Sequence, residues 1–235
     1  MSVKMLVPSI EMRLRSLLEI NRRQDESDAS RTKIYPTITV SREFGCEAYP
    51  MTVCLKEIME EKTGKPWAIM DKALLEEVAK HNQLSEELVS RLGEKKSRIM
   101  DEVLATFSPH WKSDNDHFRM LCKYVFSLAE KGNSIIVGRG SGIVTQKLKN
   151  CHHFRIYASH AFKVASIARR LEISREDAES IVDKNQKQRD AFIHDYFNID
   201  PYDLRFYNMV FNNDKNSPER MAQIIAEYVT TVRSE

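Results

Sequence analysis

Glycine is scarce in this chain, seven in 235 residues, and three of the seven (Gly138, Gly140, Gly142) fall within five positions. Cysteine is scarcer still. Cys46, Cys54, Cys122 and Cys151 form no CxxC pair and no metal-ligand spacing with the histidines, which excludes a disulfide framework and leaves no metal ligand to assign. The thiols read as reduced, in a cytoplasmic protein. Net charge is also small, +2, so there is no general polyanion surface. No nucleic-acid partner is expected, and any anion binding is local. No apolar run approaches membrane-spanning length, and the N-terminus lacks the apolar region of a signal peptide, so no membrane partner is expected. There is no internal repeat and no low-complexity tract.

What is present is a soluble composition, 42% hydrophobic and 30% charged, in a chain long enough for one sizeable core. Residues 9–23 have the period of an amphipathic helix, with Ile10, Leu14, Leu17 and Leu18 on one face. The polar stretch 22–33 reads as a linker. Residues 1–35 are thus an N-terminal appendage, docked on its own domain or open to a partner, including self-association. The main domain is 36–235. Strands are predicted at 37–41, 66–70, 134–137, 153–157 and 207–212. Helices are predicted at 50–62, through the seventies, from Ser85, and at 117–131, 160–172, 175–197 and from Pro218, with a loop over 106–116. This alternation implies a three-layer α/β/α domain with a mainly parallel five-stranded sheet. Ligands in such folds sit at the carboxyl ends of the strands.

The residues after each strand therefore carry the functional argument. Ser41-Arg42-Glu43-Phe44-Gly45 turns a β-branched run into a helix, the local plan of a loop that holds phosphate on helix N–H groups. The plain alternative is a turn with a surface Arg–Glu pair. Glu47, Tyr49 and Pro50 bring charge, bulk and a missing donor to the positions that follow. Asp71 is either the cap of the next helix or a carboxylate facing a substrate. Gly138-Arg139-Gly140-Ser141-Gly142 gathers the scarce glycines around an arginine suited to bidentate phosphate contact. In the helix 175–197, Asn185, Gln186 and Arg189 interrupt an apolar stripe. Such groups must be paired or line a cavity, and Lys184 and Lys187 flank them. Ser174 and Asp177 form a capping-box pair. Asn212-Asn213-Asp214 is sufficient as a turn.

Several segments, in this order and spacing, resemble the cytidylate kinase-like family, a branch of the P-loop nucleoside monophosphate kinases. They are Ile38-Thr39-Val40-Ser41-Arg42-Glu43-Phe44-Gly45, Met70-Asp71-Lys72-Ala73-Leu74-Leu75, Ile135-Ile136-Val137-Gly138-Arg139-Gly140, Arg189 with Phe192, Tyr196 and Phe197, and Tyr207-Asn208-Met209-Val210-Phe211-Asn212-Asn213. The resemblance spans about 36–229. It implies a P-loop NTPase fold with an acceptor lobe at about 72–115 and a helical lid at about 170–205. It also implies ATP and Mg²⁺ as donor and cofactor, and a nucleoside monophosphate or similar small acceptor.

By position, Gly45, Cys46, Glu47, Ala48, Tyr49, Met51 and Thr52 would form the phosphate loop, with Arg42 beside it. Asp71, Arg139 and Asn185 would face the acceptor. Arg139 and Arg189 would stabilise the transferring phosphoryl group, a reaction that needs positioning and positive charge more than covalent chemistry. The loop departs from the family pattern of glycine, serine, glycine, glycine and a basic residue, leaving Arg42 or Lys184 and Lys187 to supply the charge. Gln186 stands where an aspartate is usual, and Asn208 replaces the last strand's aspartate. Two readings follow: an ATP-dependent phosphotransferase, or a catalytically inactive nucleotide-binding sensor on the same fold.

Overall fold

A computed structural model of the chain describes residues 35–80, 94–107 and 116–231. The helix expected over 9–23 and the one opening at Ser85 lie outside these residues. Strands β1 (Thr37–Arg42), β2 (Ala68–Met70), β3 (Ser134–Val137), β4 (Cys151–Tyr157) and β5 (Met209–Asn212) form one sheet in the order β2-β3-β1-β4-β5. All four pairings are parallel. Helices α1 (Ala48–Thr63) and α8 (Pro218–Thr231) cover one face. Met51, Leu55, Met59, Met221, Ile225 and Val229 close there over Ile38, Val40, Phe154 and Ile156, all fully buried. Helices α2 (Lys72–Lys80), α3 (Glu94–Phe107), α4 (Asp116–Lys131) and the single turn α5 (Ser141–Val144) pack the other face around Leu75, Tyr124, Phe126 and Ile136. Helices α6 (His160–Leu171) and α7 (Arg175–Phe197) make a hairpin with its own small core of Val164, Ile167, Ala178 and Val182. No helix among the described residues is long and apolar enough to cross a membrane.

Strands buried on both faces read as continuous apolar runs, and β3 is as expected. Two strands shift. β4 starts at Cys151 rather than 153, because Cys151 and His152 pair with Thr37 and Ile38. β5 starts at Met209 rather than 207, because Tyr207 closes a 3₁₀ turn, Leu204–Phe206, through a backbone bond to Leu204. Helix α1 begins two residues before Pro50. Proline is tolerated there because the first-turn N–H groups have no helical acceptor. Gly64 ends α1 in the left-handed conformation, its N–H bonded to Glu60 O. The capping pair opens α7, with the Ser174 hydroxyl 3.1 Å from Asp177 N and 2.7 Å from its carboxylate.

The sheet face toward α4 and α5 carries a buried polar stripe. The Thr37 hydroxyl donates to Ala129 O at 2.8 Å, and Thr39 Oγ1 lies 2.8 Å from His153 Nδ1. Burial and the adjacent His152 hold the His153 imidazole down at about 4. Its ordinary value is near 6.5, so between these limits the unfolded chain binds a proton that the folded one refuses. That contribution is complete above the unfolded value and is lost as pH falls toward 4. Urea unfolding is expected to show a drop of about 2 kcal/mol between pH 7 and pH 5. His153→Gln flattens that dependence; an unchanged slope in the variant overturns the assignment.

Candidate functional site

The chain runs from β1 out to β2, back to β3, then across to β4, so connections diverge on either side of β1. A crevice at such a switch point is where open α/β sheets hold ligands. Here it becomes a cavity of about 450 Å³ between the ends of β1, β3 and β4 and the inner face of α7.

Four arginines and a lysine reach it: Arg42 from the end of β1, Arg139 from the turn after β3, Arg155 from β4, Arg189 from α7, and Lys72 at the start of α2. The turn that aims Arg139 is unusual. Gly138, Arg139 and Gly140 all have positive φ, at 80°, 55° and 69°. Glycine adopts this freely, whereas an arginine there stores roughly 1–2 kcal/mol of strain. A methyl group on Gly138 would overlap the Arg42 guanidinium, and one on Gly140 would overlap the Phe197 ring. The scarce glycines therefore make room for Arg42 and for α7. Arg139 pairs with Glu76 and lies 4.8 Å over the Phe192 ring, while its buried Nε has no hydrogen-bond partner.

Arg42 is the most exceptional group. Burial first, and then Arg189 and Arg139, push its guanidinium down to about 9. Asp71 acts in the opposite sense, but no acceptor for the Arg42 guanidinium is found among the described residues. Arg189 is lowered too, chiefly by burial. It donates to Arg42 O at 3.1 Å and sits 5.1 Å over the Phe44 ring. Lys72 is held below its usual range by partial burial and by Arg139, Arg189 and Arg42. A cluster of cations that lower one another's basicity around a cavity is a site built for an anion.

Asn185 also lines the cavity, its amide donating to Ile181 O at 2.8 Å. Asp71 does not line it; its carboxylate caps α2 by accepting from Leu74 N at 3.0 Å. Gly45, Cys46, Glu47, Ala48, Tyr49, Met51 and Thr52 do not line it either. Cys46, Ala48, Met51 and Thr52 are buried in the protein instead, and burial pushes the Cys46 thiol up to about 12, away from any thiolate role. Lys184 and Lys187 are exposed on α7 and lie outside the cavity wall.

Three amides just ahead of α1 are already bonded internally. Phe44 N donates to Gln186 Oε1 at 2.8 Å, Cys46 N to Glu43 O at 3.4 Å, and Glu47 N to Asn213 Oδ1 at 2.8 Å. Pro50 has no N–H to offer. The Glu47 carboxylate sits at the helix start, paired with Arg169 at 2.6 Å, and the buried Glu43 carboxylate pairs with Lys163 at 2.8 Å. This segment fits the phosphates of a nucleoside triphosphate poorly: three of its donors are in use, Pro50 removes a fourth, and two carboxylates stand beside it. Among the described residues no group of three His, Cys, Asp or Glu side chains is placed to hold a metal ion.

Sequence reasoning missed Arg155 of β4, which lines the cavity at 4% exposure. Glu43, read as part of a surface pair, is a buried anion, and Gln186, singled out for its place on α7, is paired with the β1 turn. The available signal was a charged residue inside a strand, which is rarely buried without a partner.

The sequence profile of the cytidylate kinase-like family matches residues 37–215. The chain belongs to that family. No curated protein matches the chain. Among solved structures, an uncharacterized protein from Eubacterium ventriosum is similar, with a TM-score of 0.61 and 19% identity over 83% of this chain and 98% of its own. At that identity the likeness shows the fold. Family membership accounts for a kinase-like, nucleotide-binding type of fold.

Proposed function

We propose that this cytidylate kinase-like protein binds a nucleotide through its phosphate at the Arg42–Arg139–Arg189 end of the cavity, and acts as a nucleotide-binding sensor rather than an ATP-dependent phosphotransferase. The observation that carries this is the Arg42 guanidinium. It is half-buried in the cavity wall, flanked by two like charges, and without an acceptor among the described residues. Buried cations are ordinarily paired. A phosphate accepts several charge-assisted hydrogen bonds at once and supplies the missing countercharge. The cavity, about 450 Å³, lies in the usual range for small-molecule sites. The second part of the reading rests on the internally bonded amides of Phe44, Cys46 and Glu47. They leave a donor triphosphate, and the Mg²⁺ that would accompany it, without the backbone cradle the family uses.

The test is calorimetry and thermal shift with pyrophosphate and a panel of nucleotides, alongside a product assay with ATP, Mg²⁺ and nucleoside monophosphates. Expected are saturable binding, a rise of several degrees in Tm, affinity that weakens with salt, and no phosphorylated product. Product formation that disappears in Arg189→Ala overturns the sensor reading in favour of the phosphotransferase. Absence of any pyrophosphate or nucleotide binding overturns the site itself.

A further inference from the structure

The cavity has a second end, on the β4 side of β1, built unlike the first. Arg155 is 4% exposed. Its Nη1 is 3.4 Å from Ser41 Oγ, and its Nη2 is 3.7 Å from the Glu43 carboxylate. Tyr202 and Tyr207 flank the guanidinium at 4.9 Å and 5.7 Å from their ring centroids. Glu43, which Lys163 also engages at 2.8 Å, balances the charge here, so this end lacks the uncompensated field around Arg42. It offers donors instead. A guanidinium carries five N–H groups and no acceptor, and the single hydrogen bond that Arg155 makes is long.

The hydroxyls beside it point the same way. Ser41 Oγ accepts from Arg155 and, at 3.3 Å, from Tyr207 OH. Having accepted from Arg155, Ser41 still has its own O–H to donate. Tyr207 OH spends its proton on Ser41 Oγ or on Pro201 O at 3.4 Å. Arg155 and Ser41 thus offer donors to this end, set among the rings of Phe206 and Tyr207, while the Asp190 carboxylate in the cavity wall is taken up by Tyr202 OH and Gln186.

We propose that this end is a nucleobase subsite that selects keto over amino bases, with Arg155 and Ser41 reading the carbonyl edge of guanine or uracil. The inference rests on the nucleotide reading above, with the phosphate at Arg42 and the base across β1 at Arg155. Guanine presents O6 and N7, two acceptors that match an arginine fork, whereas adenine places an amino donor where O6 would be. Uracil and cytosine differ in the same way at position 4. A donor facing a donor leaves both unpaired, and a site built to hydrogen-bond one group rejects its counterpart strongly.

Calorimetric affinities for GMP, AMP, UMP, CMP and pyrophosphate test this on the full chain. GMP is expected to bind at least tenfold tighter than AMP, and UMP tighter than CMP. Arg155→Lys keeps the countercharge for Glu43 but not the fork. It is expected to collapse the GMP/AMP ratio toward one, and to weaken GMP at least tenfold more than pyrophosphate, which reports only the Arg42 end. Ser41→Ala reads the same edge should the lysine variant not fold. Equal GMP and AMP affinity in the wild type overturns the proposal. So does a ratio that survives both substitutions, or a loss shared equally by GMP and pyrophosphate, which marks a purely structural role. If wild type binds pyrophosphate but shows no base preference, this inference fails alone. If it binds neither pyrophosphate nor any nucleotide, the underlying site fails with it.

Discussion

Arg42→Met is expected to raise the protein's stability while removing about two orders of magnitude of affinity for pyrophosphate. The two effects have one origin. In the ligand-free protein the Arg42 guanidinium is desolvated, repelled by Arg189 and Arg139, and pushed down to about 9. A charge kept in such a place is a standing penalty. Replacing buried charged groups by apolar side chains of similar volume is often neutral or stabilising by up to about 4 kcal/mol, and about 1 kcal/mol is expected for the half-buried Arg42. Arg189 and Arg139, each lowered chiefly by burial with Arg189 also lowered by Arg139, gain from the relief. A Tm increase of about 2–4 °C per kcal/mol follows for a domain of this size. With phosphate present the sign reverses, because the anion neutralises the cluster and accepts from the guanidinium. Losing such a charged hydrogen bond removes about 2–3 kcal/mol of binding, and 1.4 kcal/mol is a factor of ten. Thermal melts with and without pyrophosphate check both halves. A variant that melts below wild type in the absence of ligand, or that keeps its affinity, refutes the account of Arg42.

Gly138→Ala is expected to do comparable damage to binding from the other side of the contact. The residue has φ of 80°, and an added methyl group would overlap Arg42 Nη1 while lying 2.9 Å from Cζ. Two penalties combine there. The backbone strain costs about 1 kcal/mol or somewhat more. The overlap is relieved by swinging the guanidinium, which takes it off the point where Arg139 and Arg189 converge. Gly64→Ala separates them. Gly64 has a similar φ of 62° and open space around its would-be methyl group, so its variant carries strain alone. Both variants are expected to lose about 1 kcal/mol in urea unfolding, and only Gly138→Ala to lose pyrophosphate affinity, by roughly a hundredfold. Equal affinities in the two variants would mean that Gly138 does not position Arg42.

The sequence made the architecture legible where burial and local chemistry agree. The strand Ser134–Val137 and the helix Arg175–Phe197 fall where their apolar patterns and the Ser174 cap put them. Strand starts at Cys151 and Met209 were not legible, because pairing with β1 sets one and a 3₁₀ turn sets the other. At the cavity, Arg139 stood out through its glycines and Arg189 through the polar break in an apolar stripe. The departure of the β1–α1 loop from its family pattern was plain in the letters. What took up its amides was not, since Gln186 and Asn213 arrive from distant segments and look like ordinary polar residues. Arg155 was hidden for a similar reason. Its place in β4 reads as strand alternation until Glu43 and Ser41 are brought beside it by the β1–β4 register.

The strands at the two margins of the sheet are short: β2 has three residues and β5 has four. An uncovered margin recruits other chains in proportion to the length of ladder it leaves open. Margins this brief offer little template for another strand, so the long central strands β1 and β4 are kept from intermolecular pairing. The chain can thus carry a fully parallel sheet, of a kind that forms late in folding, with little tendency to aggregate through it.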